Sequence, residues 1–416
     1  MPKNFYLSIL IIVSFILGFF FNEDVAGGGR LDLPIFYNNF LLIKNNNFFS
    51  IPWQEYISSG FPLHHILMAN IIFFSNDIFF LRFFSFLISL FCILTLYSIL
   101  KLKYEINERF NSTIFLISVT FLLSPYFRTS GFWGLEENTC YLFFLISTYF
   151  YLNKNCSYYK YLAILFSILT VLIRQSFLFF PLFLFFYYFN FFKIISRKNL
   201  IIILYFLICS LPILYFIYKF SGFTNAKFRI QFTPINIPII FSFFFLYLFP
   251  FIVVRSDQFI SNLLRVKSFI HLPIFLVFYF IFKSNFEINS VYNSFGGGLI
   301  YKSIFNLNLL NINYTIKVFL FLLISYIGIF FLIFLVKKNI FVVFFFLVSL
   351  TIYSFVNTIF QEYFDPLIFF VIILFVDFIK KKDLNKFSII FFLFYFILLI
   401  LSFIYRYYII PKTMLF

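Results

Sequence analysis

The chain has 416 residues, 63% of them hydrophobic and only 11% charged, with a mean hydropathy of +1.01 and a net charge of +16. A soluble domain carries about 25% charged residues, so this surface could not be kept dispersed in water. With 12 Gly and 13 Pro, collagen-like and disordered chains are excluded too. The composition is that of an all-α integral membrane protein with many spans. The 80 Phe residues accompany abundant Ile, Asn and Lys, as an AT-rich coding sequence selected for apolarity would give. Four cysteines without a CxxC pattern and three histidines argue against a structural zinc site.

A helical span needs about 20 mostly apolar residues. Runs that qualify, the shorter ones needing tilting or burial among their neighbours, lie near 5–21, 83–100, 112–125, 138–153, 161–173, 176–192, 200–218, 239–254, 268–282, 316–336, 339–359, 366–379 and 387–405. That predicts about thirteen spans in one polytopic domain, residues 1–416. The first run follows Lys3 and reads as a retained span, since no small-residue cleavage site follows it.

Lys and Arg set the orientation. A cytoplasmic N-terminus puts 18 of the 31 basic residues on the cytoplasmic side, among them Lys101, Lys193, Arg265, Lys267, Lys337, Lys338 and Lys380. The opposite face then carries 10 of the 15 acids and the long loops 22–82, 126–137, 219–238 and 283–315. Chemistry is expected on that outer face.

The first outer loop is the most informative segment. It leaves the membrane through Asn22-Glu23-Asp24-Val25-Ala26-Gly27-Gly28-Gly29-Arg30 and passes Asp32. It continues to Phe61-Pro62-Leu63-His64-His65 and an apolar stretch, 66–75, too short to span. That stretch reads as a helix lying along the membrane surface. Arg82 then opens the next span. The Gly27–Gly29 and Gly296–Gly298 triplets read as turns whose backbone N–H groups are also able to cradle phosphate.

An acidic pair outside the first span, a Pro-Leu-His surface helix and an Arg at the second span follow one another here. In this order the chain resembles the polytopic GT-C glycosyltransferases. These include the protein O-mannosyltransferases, the lipid A aminoarabinose transferases and the dolichyl-phosphate-sugar-dependent enzymes of N-glycan assembly. The likeness continues in LLSPYFRTSGFWGLEENTCYLFFLIS (122–147), and VLIRQSF (171–177) is similar to the Arg-Gln stretch of the dolichyl-phosphate-glucose glucosyltransferase branch. Past residue 200 it rests on topology and on QEYFDP (361–366).

The resemblance implies transfer of a hexosyl or pentosyl group from a polyprenyl-phosphate donor to a glycan, lipid or protein acceptor on the outer face. Such transfer needs a carboxylate within about 2.6–3.2 Å of the acceptor hydroxyl and cations on the leaving phosphate. Asp24 is the first candidate for the base and Glu23 the second. Arg174 leads the phosphate candidates, because a charge near hydrocarbon costs about 2.5–3.5 kcal/mol on insertion scales and is functional by default. Arg128 and Lys302 stand behind it, with Arg82. His64, His65, Glu137, Gln175, Glu362 and Asp365 are the expected substrate-lining residues, and Glu136 with Glu137 would alternatively neutralise Arg128.

Some branches of the family use a divalent cation, magnesium or manganese. No ligand set is assigned here, because the adjacent His64 and His65 rings point apart. No basic-aromatic module points to nucleic acid, so the expected partners are donor, acceptor and lipid bilayer. The bacterial plasma membrane is preferred to the endoplasmic reticulum. The rival readings are a transporter or flippase of lipid-linked oligosaccharide, and a polysaccharide polymerase or ligase. Transporters tend to carry internal repeats and midplane charges, and neither is apparent in the sequence.

Overall fold

Where water is absent each backbone N–H and C=O must find its partner within the segment, so apolar runs close into helices. The computed structural model describes residues 3–58, 60–189, 196–220, 222, 232–263, 271–288, 296–305, 313–336 and 339–409. It is all-helical, with no strand among the described residues. Every apolar run named above coincides with a helix, and six helices are long and apolar enough to cross a membrane by length and composition. The chain is a multi-pass membrane protein. Much of the expected outer loops 219–238 and 283–315 lies outside the described residues, as do Lys193, Arg265, Lys267, Lys337 and Lys338.

The described chain divides into two compact units, Met1–Phe228 with Tyr395–Phe416, and Arg229–Phe394. In the first, α1 (Lys3–Phe20) buries Ser8, Ile11, Phe15, Gly18 and Phe19 along one stripe. Leu10, Val13, Leu17 and Phe20 on the remainder stay exposed. A helix apolar all round with half its surface uncovered fits a lipid-facing span. Two helices then occupy what the sequence presents as loop. The first, α2 (Gly29–Lys44), was not expected, and α3 (Leu63–Ile71) replaces the stretch at 66–75. They are tied together: Lys44 Nζ donates to the carbonyls of Ile72 (2.6 Å) and Ser75. Asn39 grips the backbone of Ile57 through both ends of its amide.

The next helix, α4 (Ile78–Lys103), starts at an Asp77 cap that accepts from Phe79 N at 2.8 Å. α5 (Ser112–Thr120) is capped by Asn111. α6 (Pro125–Trp133) has Ser124 as cap, Pro125 at its first position and Gly134 in the left-handed conformation at its end. α7 (Glu137–Leu152), α8 (Tyr159–Val171), α9 (Phe179–Tyr188) and α10 (Arg197–Phe220) follow. Only 11% of the most apolar stretch of α10 is enclosed, leaving a row of Leu204, Leu207, Leu211 and Leu214 exposed. That apolar face needs a bilayer.

In the second unit α11 (Asn236–Val254) is the most enclosed long helix. Around it are α12 (Ser256–Leu263), α13 (His271–Ile288), α14 (Gly298–Phe305), α15 (Tyr314–Val336), α16 (Ile340–Ser354), α17 (Leu367–Phe375) and the start of α18 (Leu384–Ile404). The nine residues of α17 are all buried, so this short apolar helix is enclosed by its neighbours rather than facing lipid. Gln361 joins this unit's elements, accepting from Leu299 N at 2.7 Å and donating to Tyr247 Oη at 2.6 Å.

One ion pair organises the first unit. Arg128, on α6, is 2% exposed. It holds Glu23, just past α1, through Nε–Oε1 at 2.6 Å and Nη2–Oε2 at 2.5 Å. Its other N–H groups go to Ser14 O, Ser14 Oγ and Leu122 O. The pair fits only because residue 18 has no side chain: a Cβ there would meet both Arg128 Nη2 and Glu23 Oε2 at 2.5 Å. Gly→Ala at a position that tolerates it stabilises by about 0.4–1 kcal/mol. Gly18→Ala is expected to do the opposite, costing about 1–3 kcal/mol through overpacking. Thermal unfolding of the purified protein in detergent checks this; a midpoint at or above wild type contradicts it.

Candidate active site

The chain leaves α1 through Glu23 and Asp24 and turns at Gly27 and Gly28, whose φ of 75° and 101° are left-handed values that glycine adopts without strain. The turn aims the first N–H groups of α2 back at Asp24, whose Oδ1 accepts from Gly29 N at 3.2 Å and Oδ2 from Arg30 N at 3.4 Å. Arg406, beyond α18, reaches the same Oδ2 at 3.7 Å. Asp24 is therefore a buried cap on α2, 2% exposed. Burial raises its pKa, against the opposing pull of these bonds and of Arg406. Glu23 gives both oxygens to Arg128, and its own carbonyl accepts from Trp133 Nε1 at 2.8 Å.

Asp32, in the first turn of α2, differs from both. It is partly exposed, and no described residue donates a hydrogen bond to its carboxylate. Burial, then the charges of Glu137 and Asp24, raise its pKa to about 6, while Arg174 draws it down.

Arg174 follows α8 and faces the start of α7. Its Nε lies 3.4 Å from Glu136 Oε1, and its Nη2 pairs with Glu137 Oε1. Glu137 Oε2 accepts from Ser130 Oγ at 3.0 Å. Two glutamates share one guanidinium, and the wholly enclosed Glu136 is the one disfavoured as an anion. Burial raises its pKa to about 8 despite Arg174, so at neutral pH the trio is one cation, one anion and one carboxylic acid. The partner of Arg128 is thus Glu23, and Glu136 with Glu137 serve Arg174.

His64 and His65 are both enclosed, with no exposed surface. His64 Nε2 donates to Gly134 O at 3.2 Å, which leaves Nδ1 to accept from Thr139 Oγ1 at 2.9 Å. Burial lowers its pKa to about 4. His65 Nδ1 is 3.0 Å from Tyr56 Oη, and burial together with His64 holds its pKa well below the usual histidine range. The pair ties α3 to its neighbours. Trp133 packs under two cations, Arg82 at 4.5 Å and Arg30 at 5.4 Å from its ring centroid, and Arg82 Nε donates to Phe132 O at 2.7 Å.

The first unit thus brings together Asp24, Asp32, Glu136, Glu137 and Arg174, with Gln175 opening the 3-10 turn Gln175–Leu178 beside Arg174. Lys302 on α14, Glu362 in the turn Gln361–Tyr363 and the buried Asp365 belong to the second unit. Sequence reasoning passed over Asp32, Arg30 and Arg406. An acid in a helix's first turn after a glycine run is a recognised signal; nothing local marks Arg406. Among the described residues no three His, Cys, Asp or Glu side chains gather closely enough to hold a metal ion. No family model, curated protein or solved structure matches the chain.

The state of Glu136 is testable. Its folded pKa lies above the ordinary 4.5, so between about pH 4.5 and 8 the folded protein holds a proton that the unfolded chain has released. The stability linked to that proton is complete below pH 4.5 and is lost as pH rises through 8. The thermal midpoint of wild type should fall relative to that of Glu136→Gln between pH 5 and 8, then run parallel to it above about pH 9. A constant gap, or one that changes in the opposite sense, refutes this assignment.

Proposed function

We propose that the chain is a polytopic membrane glycosyltransferase of the GT-C kind. It would move a sugar from a polyprenyl-phosphate carrier to a hydroxyl on a lipid-linked glycan, glycolipid or protein, on the non-cytoplasmic face. The observation that carries the proposal is the meeting of Asp24, Asp32, Glu136, Glu137 and Arg174, drawn from separate stretches of a chain with only 15 acids. Charges at the ends of apolar helices are costly and are retained where they do work. The proposed topology has about thirteen spans, a cytoplasmic N-terminus and the first long loop outward, in a bacterial plasma membrane; the basic excess on the assigned cytoplasmic side supports it.

In this reading the apolar helix faces receive the prenyl chain. Arg174, the cation of its trio, turns a planar fork to the donor phosphate and stabilises the charge that grows on it as the sugar leaves. The neutral Glu136 makes this easier, since a single anion, Glu137, competes with the phosphate. An outer-loop carboxylate takes the acceptor's proton. Arg128 has every N–H engaged within the fold and is left out of phosphate binding.

Proteoliposomes of the full chain, given a panel of radiolabelled polyprenyl-phosphate sugars and native membrane lipids as acceptor, should release label from one carrier; release from none overturns the reaction. Arg174→Lys and Arg174→Ala are expected to raise the KM for that donor by about tenfold, worth about 1.4 kcal/mol, and more than the KM for acceptor. The reverse ranking removes Arg174 from the phosphate.

A further inference from the structure

We infer that Asp32, rather than either member of the Glu23–Asp24 pair, is the carboxylate that takes the acceptor's proton. The inference rests on the transfer reaction proposed above.

A general base must have a lone pair open to the incoming hydroxyl. In the proposed topology the first unit's non-cytoplasmic segments carry Asp32 and six other carboxylates. Glu23 is closed by the two-point fork of Arg128. Asp24 accepts from two backbone N–H groups, faces Arg406 and is 2% exposed. Glu136 is enclosed and holds its proton, and Glu137 is shared between Arg174 and Ser130. Asp77 caps α4. Glu55 is exposed on the loop before α3.

Asp32 alone combines partial exposure, a carboxylate to which no described residue donates, and the neighbourhood of Arg174. The charged groups that act on it are Asp24 just before α2, Glu137 on α7 and Arg174 after α8; of the helices packed on α2, α3 carries His64 and His65 and α6 carries Arg128. Both histidines are neutral and Arg128 is matched by Glu23, so the two acids and Arg174 set its charge state. The outcome is an anion at neutral pH with more basicity than an open aspartate, which suits proton abstraction.

The acceptor O–H bond breaks and its proton passes to an Asp32 oxygen. The acceptor oxygen forms a bond to the anomeric carbon. The bond from that carbon to the phosphate oxygen breaks, and its electron pair stays on the polyprenyl phosphate. Asp32 then returns its proton to water.

The test uses the full chain in proteoliposomes with the labelled donor that wild type consumes. Asp32→Asn should lower kcat for label transfer by about 100-fold or more while the donor KM stays within about threefold. The wild-type rate should fall on the acid side of about pH 6. Asp32→Glu should restore transfer with that limb displaced, and Asp24→Asn, which loosens the cap on α2 and removes a charge that raises the pKa of Asp32, should keep the limb but move it to lower pH. Transfer at the wild-type level by Asp32→Asn, or loss of the limb in Asp24→Asn, overturns the assignment while leaving the reaction standing. A wild-type protein that frees label from no donor fails the reaction and the role of Asp32 with it.

Discussion

A guanidinium removed from water keeps its charge, because its proton cannot be shed at any accessible pH, and it is tolerated only if every N–H finds an acceptor in the fold. Arg128 meets that condition with acceptors from three stretches of chain: Ser14 within α1, Glu23 just after it, and Leu122 before α6. The consequences spread outward. α1 and α6 must approach closely enough to exclude any side chain at Gly18. Glu23 is fixed, so Asp24 next to it is fixed, and with it the turn that starts α2. Asp32 is then carried one turn along that helix to the neighbourhood of Arg174.

Arg128, which is buried, and Arg174, which is partly exposed, illustrate opposite uses of the same chemistry. Arg128 and Glu23 match in charge and geometry, and nothing in that pair is left for a ligand. Arg174 faces two glutamates, an excess of acid that burial resolves by keeping a proton on Glu136. A site of this kind changes its net charge with one proton or one incoming anion, whereas the Arg128 fork does not. Buried ion pairs contribute little net stability over apolar packing of the same volume. The asymmetry around Arg174 is therefore better explained by chemistry than by folding.

The helices of the apolar runs were legible in the sequence because hydrocarbon imposes one solution on them. Their lengths are less so: α17 is a nine-residue buried helix within the apolar run 366–379. α2 was missed because Pro34, Asn38 and Asn39 interrupt its apolar pattern, and its amphipathic face, Leu33, Phe40 and Ile43, covers a loop helix rather than lipid. α6 carried readable signs, Ser124-Pro125 at its start and Gly134 at its end, but it lies in a segment taken as a loop between spans. The site was legible as a set of scarce charges, not as a set of pairs. Arg128 and Glu23 are 105 residues apart, and only the packing of α1 against α6 decides that Arg128 meets Glu23 while Arg174 meets Glu136 and Glu137. The interior place of His64 and His65 follows from the same packing. The adjacent rings, read as facing substrate, are held by Thr139, Gly134 and Tyr56.

The central claim is that a lipid phosphate is held beside Arg174 in the first unit. Photo-crosslinking with a polyprenyl phosphate that bears a diazirine next to its phosphate, followed by peptide mass spectrometry of the full chain in lipid nanodiscs, addresses it directly. Adducts should concentrate in residues 22–44 and 171–178 and be displaced by unlabelled polyprenyl phosphate. Displaceable adducts confined to the second unit, with none in those two segments, would contradict the account.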